Sequence, residues 1–173
     1  MRTNALLVAF ASAALLTAVA PPAQAQAQAE TGFFMIQNFR SALCLQPERN
    51  TPDDAVIVQR TCNRDDPMQH WVLIKLDDNH RQFLNRATAR CMETRTGAKN
   101  GDRIDQWICN NISNERWTWK PNSAGFASPI RSNVSGTNSH CLDVPGGQGT
   151  EGLPMQLYVC NSTTAQAFYV FEV

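Results

Sequence analysis

The chain has 173 residues, 43% of them hydrophobic, with 15 Lys and Arg against 15 Asp and Glu and a formal charge of zero. That balance, without a lysine cluster, argues against a basic face for sequence-independent nucleic-acid binding and against attraction to an anionic membrane. Six cysteines beside three histidines in a chain of this size direct the reading toward disulfides made in an oxidising compartment.

Residues 1–29 read as an export signal. Arg2 provides a short basic region, 5–20 form an apolar run broken only by Ser12 and Thr17, and Pro21-Pro22 end it. Small-x-small triplets such as Ala23-Gln24-Ala25 then offer processing sites between 25 and 29. The run is short for a membrane span, so the mature chain is expected to be secreted or periplasmic without integral membrane association. Loss of Arg2 leaves 14 basic against 15 acidic side chains, a charge of about −1. The remaining 30–173 suffice for one compact domain.

Short apolar patches at 33–36, 55–58, 71–76, 104–108, 155–159 and 167–171 predict strands. Turn-rich sequence separates them at 51–54, 63–67, 96–102, 110–114 and 145–152. No long helical pattern occurs. Cysteines punctuate this series at 44 and 62, 91 and 109, and 141 and 160, with successive first cysteines 47 and 50 residues apart. The chain is therefore a triplicated module, with one repeat at about 32–76, a second at 77–121 and the third in the remainder. Six cysteines allow 15 pairings, among which repetition favours Cys44 with Cys62, Cys91 with Cys109 and Cys141 with Cys160.

Each loop is followed within about nine positions by Gln69-His70-Trp71, Glu115-Arg116-Trp117 or Gln166-Ala167-Phe168. The closing aromatics are expected in a core shared by the repeats, because a lone hairpin buries too little surface to stand. Gln69, Glu115 and Gln166 lie two positions before them, which on a strand would be the same face; their expected role is to satisfy nearby backbone.

These features resemble the ricin-type lectins, the ricin B-chain-like family. The Gln-x-Trp signature is present as Gln69-His70-Trp71 with two variants, and Cys141-Leu142-Asp143-Val144 has weaker counterparts at Cys44-Leu45-Gln46 and Cys91-Met92-Glu93. Ile36-Gln37-Asn38 matches the family's Ile-x-Asn element, with Phe83-Leu84-Asn85 as a looser copy. The resemblance covers the mature region and implies an all-β fold, a β-trefoil of twelve strands with three lobes. It also implies sugar pockets on the lobes, each using an acidic residue two after the first cysteine, a polar residue four before the second and an aromatic two before it, with an Asn just ahead of Gln-x-Trp. Such a set joins hydrogen-bonding groups for adjacent hydroxyls to an aromatic face for the C–H side of a sugar ring.

The third lobe has Asp143, Gln156 and Tyr158 at these phases, with Ala165 in place of Asn. The second has Glu93, Asp105, Trp107 and Asn114; its paired carboxylates would favour hydroxyl donors, an amino sugar or a cation. The first has Gln46, Val58, Arg60 and Met68, which erases the pattern and makes it a non-binding lobe; Gln59 is one position out of phase. Glycans or glycoproteins are the expected partners, no cofactor or metal is called for, and no enzyme is read here. Ser139, His140 and Asp143 surround a cysteine expected in a disulfide rather than forming a triad, and Asp77-Asp78-Asn79-His80 reads as a hydrated turn. The competing reading is a non-catalytic protein-binding or toxin-delivery subunit, with lobe one as its contact. Three triplets, starting at Asn111, Asn133 and Asn161, match the N-glycosylation pattern, but an exported chain of this kind is expected to be secreted without the modification.

Overall fold

Strands of two to six residues bury little surface singly, so they are stable here only as members of one continuous sheet. The computed structural model describes residues 28–173 apart from 52, 96, 121–123 and 137, so the export signal lies outside the described residues except for its last two positions. The described strands are β1 (Gln28–Ala29), β2 (Phe34–Asn38), β3 (Cys44–Pro47), β4 (Ile57–Arg60), β5 (Trp71–Lys75), β6 (His80–Asn85), β7 (Cys91–Thr94), β8 (Asp102–Trp107), β9 (Trp117–Thr118), β10 (Arg131–Ser132), β11 (His140–Asp143), β12 (Gln156–Val159) and β13 (Phe168–Glu172). No α-helix occurs among the described residues.

Setting β1 aside, each repeat supplies four strands: β2–β5, β6–β9 and β10–β13. The outer members of each set join antiparallel, β2 to β5 and β13, β6 to β5 and β9, and β9 to β10. A bridge between Ser128 and Phe168 links the third repeat's entry to its exit. The inner pairs β3–β4, β7–β8 and β11–β12 form hairpins, and β8 also pairs with β12 while Val58 bridges to Pro154. A barrel with three hairpins is a β-trefoil. The implied twelve strands are present, and β1 adds a further short pairing onto β5, Ala29 opposite Ile74.

Equivalent apolar residues from the three repeats fill one core. Trp71, Trp117 and Phe168, Leu45, Met92 and Leu142, and Ile36, Phe83 and Ile130 are fully buried. The two indoles also reach inward carbonyls: Trp71 Nε1 donates to Leu45 O at 3.1 Å and Trp117 Nε1 to Met92 O at 2.9 Å. Disulfides join all six cysteines in the repeated pattern, Cys44–Cys62, Cys91–Cys109 and Cys141–Cys160. Loops of 18, 18 and 19 residues can each contribute roughly 3 kcal/mol by restricting the unfolded chain.

The six anticipated strands form with ends moved by at most two residues, the last at Phe168–Glu172 rather than 167–171. One expectation is corrected. Gln69, Glu115 and Gln166 lie in 3-10 turns, Pro67–Gln69, Ser113–Glu115 and Thr164–Gln166, rather than on strands. Their role is the expected one. Gln69 Oε1 accepts the Asn63 N–H at 2.8 Å and Gln166 Oε1 that of Asn161 at 2.9 Å. The Glu115 carboxylate accepts from Asn110 and Asn111, both at 2.9 Å. Each therefore fastens the chain just after the second cysteine.

Trp71→Phe should lower unfolding free energy by about 1–3 kcal/mol, since Leu45 O loses a buried donor and the ring leaves a gap. Urea unfolding measures this; an unchanged midpoint would contradict the role assigned to the indole.

Candidate functional site

The hairpin registers place the family's pocket phases opposite one another in every lobe. Asp143 faces Gln156 and Cys141 faces Tyr158; Glu93 faces Asp105 and Cys91 faces Trp107; Gln46 faces Val58 and Cys44 faces Arg60. Because side chains alternate along a strand, the acidic, polar and aromatic phases emerge together on one hairpin face. The fourth phase, Met68, Asn114 or Ala165, lies in the 3-10 turn that follows.

In the third lobe Asp143, Gln156, Tyr158 and Ala165 line one open hollow of about 430 Å3, together with Asn161, Thr163 and Thr164. Gln156 Nε2 donates to Asp143 Oδ1 at 2.7 Å, which fixes both side chains before any ligand arrives. Asp143 is 4% exposed, and burial pushes its carboxyl above the ordinary value against the opposing hydrogen bonds from Gln156 and Gln166. Tyr158 is 36% exposed at the edge. Buried acceptor, amide and open ring thus lie in one depression, with Val144, Gly146 and Gly147 forming part of its wall.

The second lobe brings together Glu93, Asp105 and Trp107, but one oxygen of Asp105 is already engaged. Asp105 Oδ2 takes Arg95 Nε at 2.9 Å and Arg103 Nη2 at 3.0 Å, and Arg95 also pairs with Asp54. Asp105 Oδ1 is buried without a hydrogen-bond partner among the described residues. Glu93 is 7% exposed, and burial, reinforced by the charges of Asp105, Glu115 and Asp53, raises it to about 7. Near neutrality it is a mixture of acid and carboxylate. Trp107 remains 37% exposed, and the Asn114 carbonyl accepts from Thr94 Oγ1 at 3.5 Å. The two arginines that clamp Asp105 were not singled out by sequence, because nothing in the repeat phase marks them.

In the first lobe, Gln46 Oε1 accepts from Gln69 Nε2 at 3.0 Å and Val58 is fully buried. Gln59 is also fully buried; its amide donates to Gln148 O and Thr150 O at 2.6 and 3.0 Å, a contact between repeats rather than a surface one. Sequence reasoning also missed Arg40, which enters the third-lobe hollow from the first repeat. Comparing residues two places after Asn38, Asn85 and Ser132 would have isolated it, since those positions hold Arg40, Ala87 and Val134.

Glu93 titrates near 4.5 in the absence of the fold and near 7 within it. The native state thus holds its proton more tightly: this contribution is complete below about 4.5 and is lost as pH rises through about 7. Between about pH 5 and 8, Glu93→Gln should lose less denaturation midpoint than the parent chain. Parallel midpoint curves for both chains would contradict the raised titration.

The sequence profile described as Ricin-type beta-trefoil lectin domain-like matches residues 23–107 and 94–158. No curated protein gives a significant match. Among solved structures, the designed three-fold symmetric protein ThreeFoil superposes with a TM-score of 0.74 at 18% identity, over 82% of this chain and 99% of that one. An exo-beta-1,3-galactanase from Clostridium thermocellum gives 0.74 at 21% identity, over 83% of this chain but 31% of the other. A ricin B-like lectin from Macrolepiota procera, solved in complex with lactose, gives 0.67 at 16%, over 84% of this chain and 99% of that chain. These likenesses agree with the trefoil strand order, and the profile match extends over most of the described sequence: the chain belongs to the ricin-type beta-trefoil lectin domain-like family.

Proposed function

We propose that the protein is a secreted or periplasmic, non-catalytic carbohydrate-binding protein whose principal sugar site is the third-lobe hollow. The observation that carries this reading is the junction of the Asp143–Gln156 pair with exposed Tyr158 in one open depression. Asp143 and Gln156 suit adjacent sugar hydroxyls as acceptor and mixed donor–acceptor, and the Tyr158 ring suits the C–H face of a pyranose. Membership of the lectin-like family and the lactose complex of the Macrolepiota procera lectin support a glycan as the ligand class.

An open site leaves much of a sugar in water, so one pocket yields modest affinity and strong attachment comes from repeated glycan copies. Ala165 removes the family's Asn from this site, so specificity for galactose does not carry over whole. The second lobe is a weaker candidate, because binding through Asp105 would have to compete with Arg95 and Arg103. The first lobe is read as silent.

The 1–29 segment is proposed as the export signal and 30–173 as the lectin domain. Cleavage after Ala25 preserves the pairing of β1 with β5, which cleavage after Ala29 removes. The competing reading, a non-catalytic subunit docked on a protein, draws support from a groove of about 410 Å3 beside Phe126, which is 70% exposed, and lined also by Trp119 and Tyr169.

A glycan array should show binding competed by free sugar. Asp143→Ala and Tyr158→Ala should each weaken it about tenfold or more with thermal unfolding still cooperative, while Trp107→Ala leaves most of it in place. Sugar-independent capture of a protein, or binding abolished only by Trp107→Ala, would overturn the assignment to the third lobe.

A further inference from the structure

We propose that the third-lobe hollow prefers saccharides bearing an anionic group, a carboxylate or a sulfate ester, which is bound by Arg40 of the first repeat. This rests on reading that hollow as the sugar site. Arg40 lies two residues beyond Asn38, and one amide sets both sides of the hollow. Asn38 Oδ1 accepts the Arg40 N–H at 3.0 Å, and Asn38 Nδ2 donates to Ala165 O at 3.0 Å.

The guanidinium is directed as well as tethered. Arg40 Nε donates to Gly147 O at 3.0 Å, and the Gly147 N–H donates to Val144 O at 2.8 Å, immediately after Asp143. Gly147 has φ +64, and a Cβ there would stand 2.6 Å from Arg40 Cδ and 2.7 Å from Nε. Only glycine lets the arginine lie against this turn. With Nε engaged, the two terminal amino groups retain the fork that matches a carboxylate or sulfate. No carboxylate pairs with Arg40 among the described residues.

The cation belongs to this lobe by sequence phase. The equivalent residues beside the other lobes are Ala87 and Val134, which offer no charge. Arg40 is exposed, so its attraction acts at short range in water and weakens with salt. Its contribution is therefore a preference among saccharides already seated on Asp143 and Tyr158.

Titration calorimetry with matched glycosides tests this directly: methyl galactoside against methyl galacturonide and the galactoside 6-sulfate, and the same trio built on glucose. The acidic members should bind about tenfold tighter at low ionic strength, with the margin shrinking as salt rises. Arg40→Gln should bring them down to their neutral twins, and Gly147→Ala, which keeps the charge but displaces it, should reduce the margin with the fold checked by circular dichroism. A preference for carboxylate alone or sulfate alone sustains the proposal and names the anion. Equal binding of neutral and acidic members by the parent chain, or an undiminished margin in Arg40→Gln, overturns it. If that equal binding is still abolished by Asp143→Ala, the sugar site stands and only the charge preference falls. Binding of every glycoside that survives Asp143→Ala, or none by the parent chain, defeats both.

Discussion

Trp71, Trp117 and Phe168 lie fully buried in a core to which all three repeats contribute. Four strands of two to six residues cannot enclose such a ring by themselves, so each repeat depends on the other two to remove its aromatic from water. Barrel closure follows from that requirement, and the hairpins are carried outward as lobes. The disulfides and the glutamine or glutamate of the following turn then secure each hairpin to its own barrel strands. Since these devices lie below the lobe surfaces, the surfaces can diverge without loss of the common frame.

That divergence is chemical rather than topological. The same register presents Asp143 with Gln156, Glu93 with Asp105, and Gln46 with Val58. In the third lobe the pair is joined by one hydrogen bond and opens onto a hollow; in the second, Asp105 is held by two guanidinium groups; in the first, Gln46 is held by Gln69. Three equivalent backbones therefore give one preorganised acid–amide pair beside a hollow, one acid clamped by two arginines and one surface without an acid at the matching position. The repeats also support one another beneath the surface, as the fully buried Asn38 does by binding the backbone of both Arg40 and Ala165.

The trefoil was legible in the chain because cysteine pairs and closing aromatics recur at matched intervals, and such a period forces equivalent packing. Strands with evident apolar patches were legible too. His80–Asn85 was not, because Arg81, Gln82 and Asn85 are buried polar residues that hide its alternation. Arg81 pairs with Glu30 at 2.9 Å and donates to Trp119 O at 2.8 Å, while Gln82 donates to Glu115 at 2.5 Å. Within the candidate site, Asp143, Gln156 and Tyr158 were legible through the resemblance to the ricin-type lectins, whose pocket phases they occupy. The resemblance marked neither Arg40, which reaches the hollow from another repeat, nor Arg95 and Arg103, which clamp Asp105 from just beyond β7 and from two places earlier on β8.

The central claim is that three equivalent lobes support one principal sugar site. Amide chemical-shift mapping of the folded protein during titration with a bound glycoside tests it most directly. Shifts concentrated at Asp143–Gly147, Tyr158 and Thr163–Ala165, with little change around Trp107 or Arg60, are the result expected. Equal shifts in all three lobes, or shifts centred on Trp107 or on the groove beside Phe126, would contradict it.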